Sequence, residues 1–373
     1  MQSKLTKTIL AASAITIVWL LSALAPAMAS PPKRTLPGFI AGADLSLLPV
    51  MEKQGVVYKD AGNSVDALKI FRSHGFNCVR LRLWAHPSQT GVMVNDLPYT
   101  IALGKRVKQA GFLLLLDIHY SDTWADPGKQ FKPVAWNNLS TDQLIGQVHD
   151  YTRDVVVAMR KAGTMPDIVQ IGNEIVGGML WPDGKDWGPG HDFKTLGLLL
   201  KAGIQGADDG ASPLAAPLIM IHIDRGGDWG GTQWFFDGIN AQGVNYDIIG
   251  ESFYPKLHGP ISALKETLQN AAARYHKPII VVETAYPYRD DPPTKGLTYP
   301  VTPDGQRQYV QDLIAAVKNT PDGLGLGVCY WEPEWLPTKL AGAWSSTALF
   351  DDNGNALPGL DAFNSNPKLA RLK

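Results

Sequence analysis

Residues 279–284 read Ile279-Ile280-Val281-Val282-Glu283-Thr284, a short apolar run of strand length that closes on a carboxylate. Runs of the same kind recur at 40–45, 78–84, 112–120, 168–174, 218–223, 247–254 and 325–331. Helix-length segments lie between them. In 304–318, Tyr309, Leu313, Ala316 and Val317 recur at helical spacing with Gln, Asp and Lys between, and 141–161 and 260–275 read alike. Eight strands separated by helices imply parallel pairing with crossover connections. The expected fold is therefore α/β, a closed (β/α)8 TIM barrel forming one catalytic domain with enlarged βα loops. An open doubly wound sheet is the rival, but no Gly-rich phosphate turn follows the first strand. The stretch 335–357 is rich in Gly, Ser, Asn and Asp and reads as a long loop, so the last helix is weak.

Composition sets outer bounds. The chain has 373 residues, 45% hydrophobic and 18% charged, a foldable rather than disordered balance. Lys+Arg 34 against Asp+Glu 35 gives a formal charge of -1, which argues against nucleic acid as a partner. Lys4 and Lys7 precede an uncharged stretch, 8–29, that ends in Ala27-Met28-Ala29. This pattern predicts a secretory signal peptide over 1–29, cut after Ala29, with the catalytic domain over 30–373. The rival is an uncleaved anchor; Pro26 breaks the segment where a peptidase needs extended chain. No later segment has the ~20 unbroken apolar residues of a membrane helix. The protein is expected to be secreted, extracellular or periplasmic, free of the membrane once cleaved, and monomeric. The two cysteines, Cys78 and Cys329, lie inside strand-like runs and read as buried free thiols.

The chemistry-bearing residues gather at the C-terminal ends of the strands, where barrel active sites are built. Ile168-Val169-Gln170-Ile171-Gly172-Asn173-Glu174 ends on a carboxylate, as 279–284 does. Two glutamates in matching positions on separate strands suggest the paired carboxylates of glycoside hydrolysis, against a reading of each as a salt-bridged structural acid. Arg80 and Arg82 share one face of the second strand, followed by Trp84. Asp117 and His119 end the third, His222 lies on the fifth, Tyr254 closes the sixth and Trp331 the eighth. An arginine beside a nucleophilic carboxylate would keep it ionised. His119 and His222 read as lining the site, not as acid–base groups. With no His-x-His pair, a catalytic metal is not expected. Asp290-Asp291 and Asp351-Asp352-Asn353 could hold calcium or be solvated turns. Ten tryptophans beyond Trp19 sit mostly at strand ends and in loops. Flat aromatic faces beside acids fit sugar rings, with some of these residues belonging to ordinary core.

The motifs resemble a known family in order along nearly the whole chain. Asp117-Ile118-His119-Tyr120-Ser121-Asp122-Thr123-Trp124-Ala125-Asp126-Pro127-Gly128-Lys129-Gln130 is similar to a signature block of the arabinogalactan endo-β-1,4-galactanases, glycoside hydrolase family 53. So are Gly42-Ala43-Asp44, Val79-Arg80-Leu81-Arg82-Leu83-Trp84, Val169-Gln170-Ile171-Gly172-Asn173-Glu174-Ile175 and Gly178-Met179-Leu180-Trp181-Pro182. Val282-Glu283-Thr284-Ala285-Tyr286-Pro287 and Tyr330-Trp331-Glu332-Pro333-Glu334-Trp335 continue the likeness.

The resemblance implies a retaining endo-β-1,4-galactanase acting on (arabino)galactan side chains of pectin. Glu174 would be the general acid/base and Glu283 the nucleophile, ~5–5.5 Å apart. Asn173 would hold the 2-hydroxyl of the reacting sugar. Tyr254 and one of Arg80 or Arg82 would position Glu283. Trp84, Asp117, His119, Asp122, Trp124, His222, Trp331 and Trp335 complete the expected substrate-binding set. Two features depart from the pattern. Glu251 precedes Ser252 where the family usually has an apolar or amide residue; it would be rim-exposed or alter the field at Glu283. The loop 288–303 does not match the calcium loop of bacterial members, so no cofactor is expected and a structural calcium is unsupported. A mannan- or cellulose-cutting relative and a catalytically inactive carbohydrate-binding barrel are the alternatives.

Overall fold

The computed structural model describes residues 32–36, 38–188, 192–290, 297–340 and 344–364. The expected signal peptide and its cleavage point lie outside the described residues, as does Asp291. Eight strands close into a barrel: β1 Ile40–Asp44, β2 Cys78–Leu83, β3 Leu113–Ile118, β4 Ile168–Ile171, β5 Leu218–Ile223, β6 Ile248–Ser252, β7 Ile279–Glu283 and β8 Gly325–Tyr330. All neighbours pair in parallel, and β1 joins β8 to close the ring. Each expected apolar run contains one of these strands, with ends trimmed by a few residues.

The helices follow apolar spacing, and five of the following seven also carry a side-chain N-cap. Helix α1 is Ala67–Ser73, α2 Leu97–Gln109, α3 Thr141–Lys161, α4 Lys194–Ala211, α5 Trp229–Ala241, α6 Ile261–Tyr275 and α7 Pro303–Lys318. Ser140 and Gln143 make a reciprocal capping box at the start of α3, whose Leu144, Val148, Val155 and Met159 turn inward. After β8 the chain runs through turns to a short 3-10 helix, Pro358–Phe363, which occupies the place of an eighth helix. Phe363 packs there on Phe76, ring centroids 4.1 Å apart.

Strand alternation divides the core in two. Ile40, Cys78, Leu115, Ile168, Met220, Ile248, Ile280, Val282 and Cys329 fill the barrel interior, while the other parity packs under the helices. Above the apolar floor the same inward parity becomes polar: Arg80, Arg82, Asp117, Gln170 and His222 are all buried. Both cysteines are free and buried in the floor, as expected. Gly42 of β1 pairs with Cys78 on one side and Cys329 on the other. A Cβ on Gly42 would stand 2.3 Å from the Cys329 Sγ. Substituting Gly42→Ala should therefore lower stability by about 1–3 kcal/mol in urea unfolding, and adding Cys329→Ala should restore part of it. An unchanged midpoint in the single variant would show the floor to be looser than this packing.

Candidate active site

Strand β2 supplies the cation around which the site assembles. Arg80 Nη1 lies 2.8 Å from Asp44 Oδ2 and 2.8 Å from Glu283 Oε1, and Nη2 lies 2.8 Å from Asp117 Oδ2. Its guanidinium also donates to Asn173 Oδ1 at 2.8 Å and to Gln170 Oε1 at 3.2 Å. Arg82, two residues on, instead pairs with Glu332 at 2.8 Å and lies over the rings of Trp84 and Trp124 at 4.9 and 4.2 Å. Of the two arginines, it is Arg80 that serves Glu283.

Glu283 reaches that position through an irregularity. Ile279 and Val281 face the helices and Ile280 and Val282 the interior, so strict alternation would turn Glu283 outward. The register between β6 and β7 shifts at Glu251/Ser252, pairing Glu251 with Val281 and Ser252 with Glu283. The residue skipped is Val282, and the bulge turns Glu283 into the barrel mouth. There Tyr254 donates to Glu283 Oε2 at 3.0 Å. Burial pushes the Glu283 carboxyl up to about 7, while Arg80 and the Tyr254 hydrogen bond pull the other way.

Glu174 is built differently. It lies three residues beyond β4 with φ 48, in the left-handed region that non-glycine residues seldom adopt. Gln130 Nε2 donates to the carbonyls of Asn173 and Glu174 at 2.8 and 3.3 Å, and the Glu174 N–H donates to His222 Nδ1 at 3.4 Å. Ser252 Oγ donates to Glu174 Oε1 at 2.6 Å, and His222 Nε2 stands 2.9 Å from that Oγ. With the Ser252 proton given to Glu174, His222 donates from Nε2 and accepts at Nδ1, a neutral ring. Burial and Arg80 hold the His222 imidazole well below its usual range. No cation pairs with Glu174 among the described residues. Burial, then the charges of Glu283 and Asp224, push its carboxyl well above the usual range, against Ser252 and Arg80.

Both glutamates open on a cleft of about 480 Å³ at the C-terminal mouth of the barrel. Arg80, Arg82, His119, Trp124, Asn173, Tyr254, Trp331 and Trp335 also line it. Four expected binding residues stand outside the cleft. Asp117 is fully buried beneath, held by Arg80, by His119 Nε2 at 2.9 Å and by Gln170. His222 is equally buried and bonds to protein groups at both ring nitrogens. Trp84 is covered and donates to His119 Nδ1 at 3.3 Å. Asp122 braces a loop, accepting the N–H groups of His86 and Val134. These four support the lining rather than form it.

The cleft has further members that sequence reasoning missed as site residues. Asp126, Lys129, Asp224, Leu257, His258 and Trp344 all line it. Asp126 and Lys129 lay inside the quoted signature block, and Trp344 among the loop tryptophans. Asp224 directly follows β5, so the strand-end rule that selected Glu283 would have found it. Trp331 packs against Trp344, Trp335 and Trp124 with centroids 5.0, 6.0 and 6.2 Å apart. Glu251 is neither at the rim nor directed at Glu283. It is buried on the outer face of β6, accepting from Arg225 N and Thr232 Oγ, each at 3.1 Å. Of the calcium candidates, Asp351 accepts the N–H groups of Asn353 and Asn355 within its own turn, and Asp352 holds Tyr288 and Arg289 of the loop after β7.

A protonated carboxyl and a cation-paired carboxylate facing one aromatic cleft can donate a proton to a leaving oxygen and attack the carbon beside it. Residues 40–363 match the profile of glycosyl hydrolase family 53. A Niallia circulans protein encoded in the bgaB 5′ region is 40% identical over 349 residues, spanning 88% of this chain and 94% of its own length. The Thermothelomyces thermophilus arabinogalactan endo-β-1,4-galactanase is 36% identical over 335 residues, 86% of this chain and 98% of that one. Among solved structures, the Ignisphaera aggregans GH53 catalytic domain superposes with a TM-score of 0.80 at 36% identity, covering 89% of this chain and 97% of that one. A structure from a study of two fungal β-1,4-galactanases gives 0.79 at 35%, covering 87% and 98%.

The two carboxyls should titrate apart, Glu283 below Glu174. Because the Tyr254 hydrogen bond favours ionised Glu283, Tyr254→Phe should raise the pH at which Glu283 ionises. Titration of ¹³C-carboxyl glutamate by NMR reads this directly; a shift downward, or none, would contradict the arrangement.

Proposed function

The chain belongs to glycosyl hydrolase family 53, and from that premise we propose that it is a secreted endo-β-1,4-galactanase that cleaves the galactan side chains of pectin with retention of configuration. It is a glycoside hydrolase with a polysaccharide substrate. The observation that carries the mechanism is the unequal surroundings of its two buried glutamates.

Glu283, with Arg80 on Oε1 and Tyr254 on Oε2, is the group favoured as an anion. It attacks the anomeric carbon of the galactosyl unit in the cleft, forming the glycosyl–enzyme ester. Glu174, without a cation, keeps its proton and gives it to the departing oxygen. Esterification then removes the negative charge of Glu283, one of the two largest causes of the raised Glu174 pKa after burial. Glu174 thus becomes easier to ionise at the step where it must accept a proton from water. The same pair serves as acid and then base because the first step changes the field of the second. Between them these side chains supply nucleophile, acid and base, so the mechanism calls on no cofactor. Asn173 sits beside Glu174 with Oδ1 held by Arg80, which orients its amide for the hydroxyl neighbouring the reacting carbon. Trp124, Trp331, Trp335 and Trp344 give the apolar faces on which successive sugar rings lie. Export is supported by the charge and hydropathy pattern of residues 1–29.

Linear β-1,4-galactan, with mannan and cellulose alongside, tests substrate and mode together. Short galactooligosaccharides from galactan alone are expected, the first-formed reducing ends β by ¹H NMR. Release from another glycan would overturn the galactanase reading, and α anomers the retaining one. Glu283→Gln should abolish turnover. Glu174→Ala should slow galactan far more than an aryl galactoside whose leaving group needs no proton; equal losses would remove Glu174 from the acid role. A mature N-terminus at Ser30 in the culture fluid would accord with cleavage and export.

A further inference from the structure

Beside Glu174 the cleft holds a third acid that neither the hydrolytic pair nor its supports account for. Asp224 follows the last residue of β5 and lies two positions after His222, on the same inward parity. It is 7% exposed and lines the cleft together with Glu174, Tyr254, Leu257 and His258. Its Oδ2 accepts from Arg225 Nη1 at 3.0 Å. Its Oδ1 is buried and receives no hydrogen bond from any described residue. A carboxylate oxygen withdrawn from water with no donor is unstable by about 1–3 kcal/mol. In a substrate cleft the donor that relieves it is a hydroxyl of the bound ligand.

The position of Asp224 indicates which sugar that is. Strand β5 adjoins β4, which carries Glu174 into the cleft, while Glu283 enters from β7. Asp224 is among the charges acting on Glu174, whereas those that act most on Glu283 are Arg80, Asp117 and Asp44. Around the barrel, β5 lies on the arc between β4 and β7 and stands opposite β1. The cluster of Asp44, Arg80 and Asp117 on β1–β3 holds Glu283 and Asn173 for the reacting sugar. Glu174 protonates the oxygen of the departing sugar, so an acid beside it on the opposite wall meets that sugar.

We propose that Asp224 is a substrate-binding residue for the leaving-group saccharide, its Oδ1 accepting a hydroxyl of the sugar attached to the oxygen that Glu174 protonates. This rests on the acid role assigned to Glu174. The contact adds selectivity for a carbohydrate leaving group over an apolar one, because an analogue without the hydroxyl leaves a buried acceptor unpaired. A second consequence follows from its charge. Glu174 is faced by Glu283, Asp224, Tyr254, Ser252 and the more distant Arg80; Asp224 in turn is faced by Arg225, Asp126 and Asp228, and Glu251 lies behind it. Removing the Asp224 charge withdraws one influence that keeps Glu174 protonated.

The test compares two substrates with different leaving groups. Asp224→Ala should lower kcat/KM on β-1,4-galactan about 10- to 100-fold, the loss of a charge-assisted hydrogen bond, yet change it less than about twofold on a 4-nitrophenyl β-1,4-galactobioside. Equal losses on both, or no loss on galactan, would overturn the assignment. Asp224→Asn keeps an acceptor and drops the charge. It should lose less on galactan than the alanine variant and move the basic limb of the galactan pH profile downward; an unmoved limb or a loss equal to alanine's would count against it. Wild-type turnover of galactan is the separate check on the galactanase reading. If another β-1,4-glycan takes its place, the same ratio is read on that polymer and its matching aryl glycoside.

Discussion

Arg80 is 1% exposed and holds carboxylates from three strands, Asp44 of β1, Asp117 of β3 and Glu283 of β7, each at 2.8 Å. Taking a guanidinium out of water costs several kcal/mol, repaid only if its partners are well placed and their remaining lone pairs satisfied. The second rank of donors meets that condition. Ser46 donates backbone N–H and hydroxyl to Asp44, His119 donates to Asp117, and Tyr254 donates to Glu283. His119 accepts at Nδ1 from Trp84 Nε1 and Ala125 N, which assigns the proton at Nε2 to Asp117. Since the three acids come from strands far apart in sequence, the cluster exists only when the barrel closes. Closing the fold and building the nucleophile are one event.

Three carboxylates around one guanidinium leave excess negative charge, and its distribution gives the two glutamates different characters. Burial raises Glu283, Arg80 lowers it and Asp117 and Asp44 raise it further, so it sits near the middle of the pH scale at about 7. Burial, then the field of Glu283 and Asp224, pushes Glu174 well above the usual carboxylate range, with a neutral His222–Ser252 chain as its partner. Polarity in the reaction thus comes from placing the Arg80 cation against Glu283 and not against Glu174.

The aromatic lining depends on a second buried cation. Arg82 pairs with Glu332, whose φ is 45, and lies against Trp84 and Trp124. Trp84 is core, Trp124 is lining, and the guanidinium joins them, so the wall facing the sugar is fixed from behind. Glu332 and Glu334 are both pushed up by burial, and each shares its surroundings with the other and with Asp44. The loop after β8 is therefore anchored by buried polar contacts where the usual helix is replaced by a 3-10 turn.

Apolar runs and helical spacing were enough to specify eight parallel strands, because burial on both faces leaves a local signature. Glu174, Glu283 and Tyr254 were legible from their places at strand ends, and Asn173 through the family resemblance. The choice between Arg80 and Arg82 was not, since both share one parity and only the neighbours across the barrel distinguish them. Asp117, His222 and Trp84 looked like lining because depth below the barrel mouth has no signature in a single strand. Glu251 and Asp224, both acids around strand ends, went to opposite sides of the sheet wall. Glu283 itself defeats the period of two: Val282 is skipped in the pairing of β6 with β7, and that bulge turns inward a carboxylate that strict alternation would face to the helices. The sequence by itself determined the barrel and the chemical types at its mouth, which local pattern encodes. Which carboxylate meets the cation, and which oxygen is left free for a sugar, was decided by tertiary structure, because those contacts join strands whose separation in sequence carries no trace of their distance in space.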